Sequence, residues 1–377
     1  MSRLRRPGRA TAGWLAATLL SSLTAVCAGA AEQGTVDSIA AAAAADQSDE
    51  GGAAWSWFGD ALLRGDEVRN LTARPDLERL RARLRVGARY VRGDWEFGAA
   101  IEGAQGSDDN ADNVRNNDNE KSDDANLDRL YVRWQPGEDT WVLLGKSALP
   151  LSFTPMVWDQ DLRPVGLSAS QRWASGESSH VGLSGGYFAG DHLYGDDSRV
   201  AAAQLAWMFD EGGPWAGDLL LGFLHFDDLD RLTEKRLTRT NRRVGNQLVS
   251  DYDLADLQFG LRVGGGDLPL DLRLDLVHNF GADDQNDGAR ASAVLGSSRR
   301  AGGWELGYAQ QRIQRDAVMA AFNADDWWFH SFSRGGMLWL GYGLSDRVNA
   351  QVSAFSERRD DQSLTVHRLL VDLRARW

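Results

Sequence analysis

The sequence predicts an all-β fold: a transmembrane antiparallel up-and-down β-barrel of about 16 strands with a cleaved N-terminal signal peptide. From Trp55 onward, apolar residues recur at every second position, which is the period of a strand with one wet face. Short turns alternate with long polar loops along the chain. The composition agrees, because 377 residues include 41 Gly and 15 Trp but only 8 Pro.

Overall charge and hydropathy exclude two classes of protein. The net charge of −13 argues against a nucleic-acid partner, since phosphate backbones select proteins with a basic face. Outside the first thirty residues no apolar run reaches the roughly 18 residues that a transmembrane helix needs. An α-helical membrane protein is therefore excluded, whereas barrel strands average out to a polar sequence such as this one, with a mean hydropathy of −0.40.

The N-terminus has the three parts of a secretory signal. Residues 1–9 are basic, residues 10–26 are apolar, and small residues follow Cys27. The alternative of an acylated lipoprotein Cys27 is weaker, because Val26 stands where a small residue is expected. We therefore expect a signal peptide over 1–30, a flexible periplasmic leader over 31–54 and the barrel over 55–377. Cleavage removes the single Cys, so neither a disulfide nor a Cys-based metal site is expected.

The second predicted strand separates charge from apolar side chains most clearly. Leucines and other apolar residues alternate there with a row of arginines, Arg79, Arg81, Arg83, Arg85 and Arg89. A helix would scatter these arginines around its axis, whereas a strand places them all on one face. The next strand continues the pattern, with Trp95 and Phe97 on one face and Glu96 and Glu102 on the other. These two strands predict a hairpin with one wet and one apolar face.

The same pattern continued to the C-terminus predicts 16 strands in up-and-down order. They are expected near 56–65, 78–91, 95–104, 126–135, 140–147, 166–173, 179–189, 199–208, 217–226, 252–263, 270–280, 290–298, 303–313, 335–343, 347–357 and 365–377. Every long connection follows an odd strand, so all long loops fall on one rim. The last strand ends on Trp377, and a terminal aromatic resembles the sorting signature of bacterial outer-membrane barrels.

Several short stretches resemble the putative porin family of Gram-negative outer membranes. They occur in order over residues 55–377 and are 58–64, 79–87, 127–134, 144–146, 157–166 and 303–308. The resemblance implies a single-chain barrel with a water-filled pore in the cell outer membrane. It implies passive diffusion of small hydrophilic solutes, with a preference for anions left open, and contact with outer-membrane lipid and lipopolysaccharide. The Asn/Asp-rich loop at 106–126 departs from the family pattern. A homotrimer is expected only by analogy with barrels of this strand number.

Pore-lining residues are predicted from the polar faces of these strands: Arg79, Arg81, Arg83, Arg85, Arg89, Glu96, Glu102 and Lys146. The arginines would form a positive strip, or alternatively pair with carboxylates of neighbouring strands such as Asp60. The connection 148–165 is expected to fold inward as a constriction, with Trp158, Asp159, Asp161 and Arg163. Aromatic girdle residues are expected near the short turns at Tyr90, Trp95, Trp134 and Trp141.

Catalytic and metal-binding patterns are weak, so no enzyme activity and no cofactor are expected. A G-x-S-x-G pattern surrounds Ser184, but it lies in a predicted strand and not at a strand-to-helix turn. The six histidines have no paired metal-ligand spacing. Acidic residues of the 106–126 loop have calcium-type oxygens, although a solvated surface loop is favoured. Two alternatives to a porin remain, a barrel enzyme and a plugged structural or adhesive barrel.

Overall fold

The protein folds as one closed 16-stranded antiparallel barrel. A computed structural model describes residues 53–72, 74–108, 124–189, 197–264 and 268–377. The barrel strands are β1 (Ala54–Arg69), β2 (Leu77–Arg92), β3 (Trp95–Gly106), β4 (Asp124–Gly137), β5 (Thr140–Lys146), β6 (Val165–Gly176), β7 (Ser179–Ala189), β8 (Arg199–Phe209), β9 (Gly217–Asp227), β12 (Tyr252–Val263), β13 (Leu270–Asn279), β14 (Asp287–Gly296), β15 (Trp304–Ile313), β16 (Ser333–Gly343), β17 (Val348–Arg359) and β18 (Val366–Arg376).

Pairing of the first and last strands closes the barrel. Asp60 of β1 lies opposite Arg376 of β18, and the ladder continues to Arg69 opposite His367. Closure leaves no unpaired strand edge, which allows a β-structure to be stable in lipid. The predicted strand order is therefore confirmed.

No helix in the described part of the chain is long and apolar enough to cross a membrane.

The connection between β9 and β12 contains structure that the sequence pattern did not indicate. A short helix α1 (Asp230–Glu234) precedes a two-stranded ribbon of β10 (Arg243–Val244) and β11 (Gln247–Leu248). Both lie on the rim of long loops, where α1 buries Leu232 completely. The predicted signal peptide lies outside the described residues, as does most of the Asn/Asp-rich loop.

The strand pleat sorts side chains as the alternation predicts. On β2 the arginines point inward, whereas Leu80 and Leu84 are 57% and 49% exposed on the outer face. Aromatic residues collect on the outer face near the short turns, where Tyr90 lies 4.8 Å from Trp55 and Trp95 lies 6.2 Å from Trp134, centroid to centroid. These pairs form part of the aromatic band expected at a membrane interface.

Strand β5 departs from the prediction, because its faces are reversed. Trp141 is only 9% exposed and lies inside the barrel, where the Arg133 guanidinium sits 5.5 Å from its ring centroid. Leu144 on the opposite face is 56% exposed. The prediction of Trp141 as a girdle residue is therefore wrong. Both faces of β5 are apolar, so hydrophobicity alone did not reveal which one faces lipid.

Two long connections fold into the barrel and build a hydrophobic core there. The β5–β6 loop (residues 147–164) contributes Met156 and Trp158, and the β15–β16 loop (residues 314–332) contributes Met319 and Phe322. Trp158 stacks on Phe322 with ring centroids 5.4 Å apart. The inward course of 314–332 was not predicted, because that segment was expected to be a polar rim loop. Together the two loops occupy much of the lumen on the side of β8, β9 and β12–β14.

Candidate functional site

The space left beside the two inner loops is a cavity of about 600 Å3. It lies against the inner wall formed by β1, β2 and β4, with the β5–β6 loop on its other side. Sixteen-stranded barrels are wide enough to leave an aqueous lumen, so the inner loops determine how much of it stays open. This cavity is the candidate constriction of a channel.

Arg85 is the centre of the charged wall. Its Nη2 lies 2.7 Å from an Asp161 oxygen of the β5–β6 loop, and its Nε lies 3.1 Å from Asp60 on the neighbouring strand. Glu102 and Asp128 lie farther away, at 3.6 Å and 3.8 Å. Arg85 therefore connects three strands to the inner loop through carboxylates. A guanidinium suits this position, because its fixed fork of donors can serve several oxygens at once.

Arg83 shares the same carboxylate of the inner loop. Its Nη1 lies 3.0 Å from Asp161 Oδ2, while Asp161 Oδ1 binds Arg85. The two guanidiniums are thus held by one carboxylate, and both arginines also line the cavity. Asp161 accordingly fixes the distance between the β5–β6 loop and the arginine wall.

The arginine row of β2 divides into two functional parts. Arg79 and Arg81 are 5% and 8% exposed and lie outside the cavity lining. Arg79 Nε donates to Asp66 at 3.0 Å, and Arg79 also reaches Asp108. Arg83, Arg85 and Arg89 line the cavity. Carboxylate pairing, the alternative that the sequence left open, therefore occurs along most of the row, and Arg83 and Arg85 combine it with a place in the cavity lining.

The predicted acidic and lysine wall residues take three different positions. Glu96 lines the cavity and accepts a hydrogen bond from Tyr131 at 2.6 Å. Glu102 points inward but lies behind Arg85, outside the lining. Lys146 pairs in register with Leu130 and Val165, which are 56% and 38% exposed on the outer face. Since directly opposed residues share a face, Lys146 lies on the outward side and its prediction as a pore residue was wrong.

The predicted residues of the β5–β6 loop all lie inside the barrel. Trp158 packs in the apolar core, and the backbone N–H of Asp159 donates to Phe322 O at 2.6 Å. Asp159 Oδ1 accepts the Asp161 N–H at 2.8 Å, which positions the Asp161 carboxylate. Arg163 Nε lies 3.3 Å from Asp128 Oδ1. Asp159, Asp161 and Arg163 line the cavity together with Trp158.

Hydrogen bonds to the opposite wall hold the start of this loop. Ser152 N donates to Gln204 Oε1 at 2.9 Å, and Gln258 Nε2 donates to Ser152 O at 2.8 Å. Thr154 Oγ1 donates to Asp275. The loop therefore crosses the lumen from β8, β12 and β13 to the arginine wall, with polar contacts at both ends.

A β-bulge adds charge that the simple alternation misses. The register of β3 and β4 shifts where Ala100 opposes Arg129 and Ile101 opposes Leu127, so one extra residue enters β4. As a result both Asp128 and Arg129 reach the interior, although they are sequence neighbours. A bulge redirects side chains in this way and has no signature in the hydrophobic pattern.

Sequence reasoning missed several cavity residues that other strands supply. They are Arg64, Arg133, Arg273, Arg374 and Arg376 on strands, and Asp325 and Asp326 on the β15–β16 loop. The strand arginines alternate with apolar neighbours just as the β2 arginines do, so the same signal would have found them. The apolar run Ala317–Phe322 was the available signal for the inward loop.

The charge balance of the cavity is positive. Among the described residues, ten arginines line it and seven carboxylates oppose them. This excess differs in sign from the charge of the whole chain, which is −13. The positive excess belongs to the lining itself, because Glu102, Asp128 and Asp372 lie directly behind lining arginines.

A family comparison agrees with this geometry. Residues 63–209 match the family model described as "Putative porin". This segment is therefore similar to the putative porin family. The matched porin segment begins in β1 and ends in β8, so it includes the arginine row and the β5–β6 loop. Together with the closed barrel, this match supports an outer-membrane porin channel.

Solved porins have the same fold at low sequence identity. OprB of Pseudomonas putida superimposes with a TM-score of 0.55 at 11% identity, covering 86% of this chain and 94% of that chain. OmpF of Salmonella typhi gives 0.53 at 10% identity, covering 86% and 97%. An anion-selective porin from Comamonas acidovorans gives 0.51 at 16% identity, covering 86% and 100%. No curated protein matches the chain.

Ser184 does not have the setting of a catalytic serine. It lies within β7, and its hydroxyl donates to Ser170 on β6 at 2.8 Å. A nucleophile elbow requires a sharp strand-to-helix turn, which is absent at this position. The family and fold accordingly indicate a channel rather than an enzyme.

Proposed function

We propose that the porin passes small hydrophilic anions by passive diffusion through the cavity beside the β5–β6 loop. The observation that supports this is the row of Arg83, Arg85 and Arg89 on the cavity wall, facing a loop that carries Asp159 and Asp161. Cations would meet a net positive wall, whereas anions would meet guanidinium groups that can replace part of their hydration shell. No covalent chemistry is needed.

The spacing of the arginine row suits stepwise movement of an anion. Alternate residues of a strand lie about 6.6–6.8 Å apart. Arg83 and Arg85 are one such step apart, whereas Arg85 and Arg89 are two steps, or about 13 Å, apart because Gly87 lies between them. Conduction requires sites that bind weakly enough to release the ion. The carboxylates of Asp60 and Asp161 supply this moderation, because they offset part of the positive charge of Arg83 and Arg85.

Planar-bilayer recordings on the purified wild-type protein test this function. We expect stable open channels and a reversal potential in a KCl gradient that indicates anion preference. Arg83→Gln/Arg85→Gln should shift the reversal potential toward cation preference, because two positive charges leave the wall while the carboxylates stay.

The matched control is Arg69→Gln/Arg199→Gln, which removes the same charge from exposed rim positions outside the cavity. It should leave the reversal potential unchanged. Heat-modifiable migration on gels should confirm that both variants form barrels. Equal reversal potentials in wild type, test variant and control would show that Arg83 and Arg85 do not determine the ion preference of the channel.

A plugged barrel is the second candidate, and the packing of the inner loops favours it. Loops 147–164 and 314–332 share one apolar core with strands across the lumen, including Phe226 and Leu254. If this core were continuous across the pore, the protein would serve a structural role. Electrically silent protein that inserts correctly into the bilayer would support this candidate and exclude the porin mechanism.

The partners we propose are outer-membrane lipid, lipopolysaccharide and further copies of this chain. A homotrimer is proposed by analogy with barrels of this strand number. Native mass spectrometry of the detergent-extracted protein would test it, because three chains per complex are expected and a monomer at all concentrations would reject it.

A further inference from the structure

A second cavity, of about 490 Å3, opens among the long loops. We call it the rim pocket. Its wall includes Arg74 and Thr238 from two rim connections, His330 from the β15–β16 loop, and Arg359 at the end of β17. The long loops of outer-membrane barrels face the cell exterior, so the rim pocket is on the external side.

The rim pocket concentrates positive charge. Five guanidinium groups line it, from Arg74, Arg236, Arg239, Arg243 and Arg359. No carboxylate belongs to its lining in the part of the chain that the structure describes. The neighbouring Asp361 accepts two hydrogen bonds from Arg359, at 2.6 Å and 2.9 Å, and these hydrogen bonds hold the pKa of that carboxyl below its usual value. Guanidinium groups therefore outnumber carboxylates in the described lining of the rim pocket, which suits it to a multiply charged anion.

A buried hydroxyl in the rim pocket has no hydrogen-bond partner among the described residues. Thr238 is 1% exposed, and its Oγ1 makes no hydrogen bond with any described residue. A buried polar atom without a partner costs free energy, and such an atom commonly marks a place for a water, an ion or a ligand. A hydroxyl beside guanidinium groups is a natural donor to an oxyanion. This observation is independent of the charge count and indicates the same kind of ligand.

Arg74 is already partly desolvated on the pocket wall. Its guanidinium lies 5.5 Å from the centroid of the Trp328 ring, and burial lowers the pKa of Arg74. Trp328 and Phe329 pack below it with Val68, Leu71 and Val366. Since the guanidinium fork matches phosphate oxygens in pairs, phosphate is the oxyanion that this wall fits best.

The rim pocket and the constriction cavity are on two sides of one loop. Asp325 and Asp326 line the constriction cavity, whereas Trp328 and His330 line the rim pocket. Only a few residues of the β15–β16 loop separate the two spaces. A solute held in the rim pocket is therefore held immediately outside the channel.

We propose that the rim pocket binds a soluble phosphate-bearing anion of charge −2 or more at the external entrance. The binding itself is independent of the proposed conduction, whereas its role in delivering solute to the constriction rests on that function. Pyrophosphate is a suitable probe, because it carries this chemistry without any further recognition group.

Isothermal titration calorimetry with pyrophosphate tests the site on refolded protein free of lipopolysaccharide. Wild type should bind, and higher salt should weaken the binding. Arg236→Gln/Arg243→Gln should bind at least tenfold more weakly, since two guanidiniums are removed. Thr238→Val should also weaken binding, because it removes the hydroxyl donor but keeps the side-chain volume.

The matched control is Arg199→Gln/Arg231→Gln, which removes two rim arginines outside the pocket lining. Its affinity should equal that of wild type. No binding to wild type, or equal binding by the test variant, would overturn the proposal. Binding of lipopolysaccharide micelles without binding of pyrophosphate would also overturn it, because the ligand would then be a lipid headgroup.

Channel recordings keep this proposal separate from the proposed function. Arg236→Gln/Arg243→Gln should retain the wild-type reversal potential in KCl, since neither residue lines the constriction cavity. Wild-type protein that binds pyrophosphate but conducts nothing would leave the rim pocket intact and reject the porin mechanism. Anion-selective channels in a protein that does not bind pyrophosphate would support the porin mechanism and reject the rim-pocket proposal.

Discussion

At the residue scale, the lumen is organised by carboxylates that each hold more than one arginine. Asp161 bridges Arg83 and Arg85 across the β5–β6 loop, and Asp66 receives both Arg79 and Arg368. Removing one member of the fully buried Asp66 set is costly, at about 3–5 kcal/mol, because the remaining charge loses its partner. The single carboxylates therefore control both the position of the inner loop and the charge that a passing solute meets.

Asp161→Asn should increase the anion preference of the channel. The amide keeps the shape of the side chain but no longer neutralises Arg83 and Arg85. Two unit charges about 4 Å apart interact by about 1 kcal/mol in water, so the anion-to-cation permeability ratio should rise about fivefold. Reversal potentials in a KCl gradient measure this ratio. Asp139→Asn removes the same charge from an exposed position on the short-turn side and should leave the permeability ratio unchanged. An identical change of the ratio in both variants would contradict the role of Asp161 at the arginine wall.

At the element scale, the strands could be predicted almost completely and the loops could not. Predicted and observed strand ends agree to within four residues, with the largest difference at the end of β1 and none for 252–263. The agreement arises because a half-wet strand leaves a period-two pattern in its own sequence. Strand β5 lacks that pattern: Trp141 and Leu144 are both apolar, so its inward face depends on the neighbouring strands. The course of loop 314–332 depends on packing against Trp158, a contact distant in sequence.

The junction between β5 and the inner loop depends on Gly145. Its φ is +129°, and a Cβ at this position would lie 2.3 Å from Leu130 O on β4. Gly145→Ala should therefore destabilise the barrel by more than about 1 kcal/mol, through backbone strain and a clash with β4. Urea unfolding monitored by tryptophan fluorescence measures the change. Gly103→Ala on β3 is the control, because a Cβ there would meet no atom within 4 Å; equal stability of the two variants would show that Gly145 is not required.

At the scale of the whole molecule, the wall and the filling of the barrel are separate structures. The wall closes through backbone pairing of β1 with β18, and each strand pairs with its neighbours. The filling consists of the two inner loops and their shared apolar core. Backbone pairing satisfies the polar groups that must cross lipid, whereas the filling determines only how wide the lumen is. The lumen width can therefore change without loss of the barrel.

Replacing residues 317–329 with a short Gly-Ser linker should widen the channel while the barrel persists. The deleted segment supplies Phe322 to the core and Asp325 and Asp326 to the constriction cavity, but it contributes no residue to β15 or β16. We expect a severalfold larger single-channel conductance, and liposome-swelling assays should show entry of larger neutral sugars. Replacing the exposed ribbon tip 244–247 with glycines is the control, because these residues lie outside the cavity lining. If both replacements leave conductance at the wild-type value, the β15–β16 loop does not limit the lumen; a collapsed barrel in the first variant alone would show that filling and wall are a single folding unit.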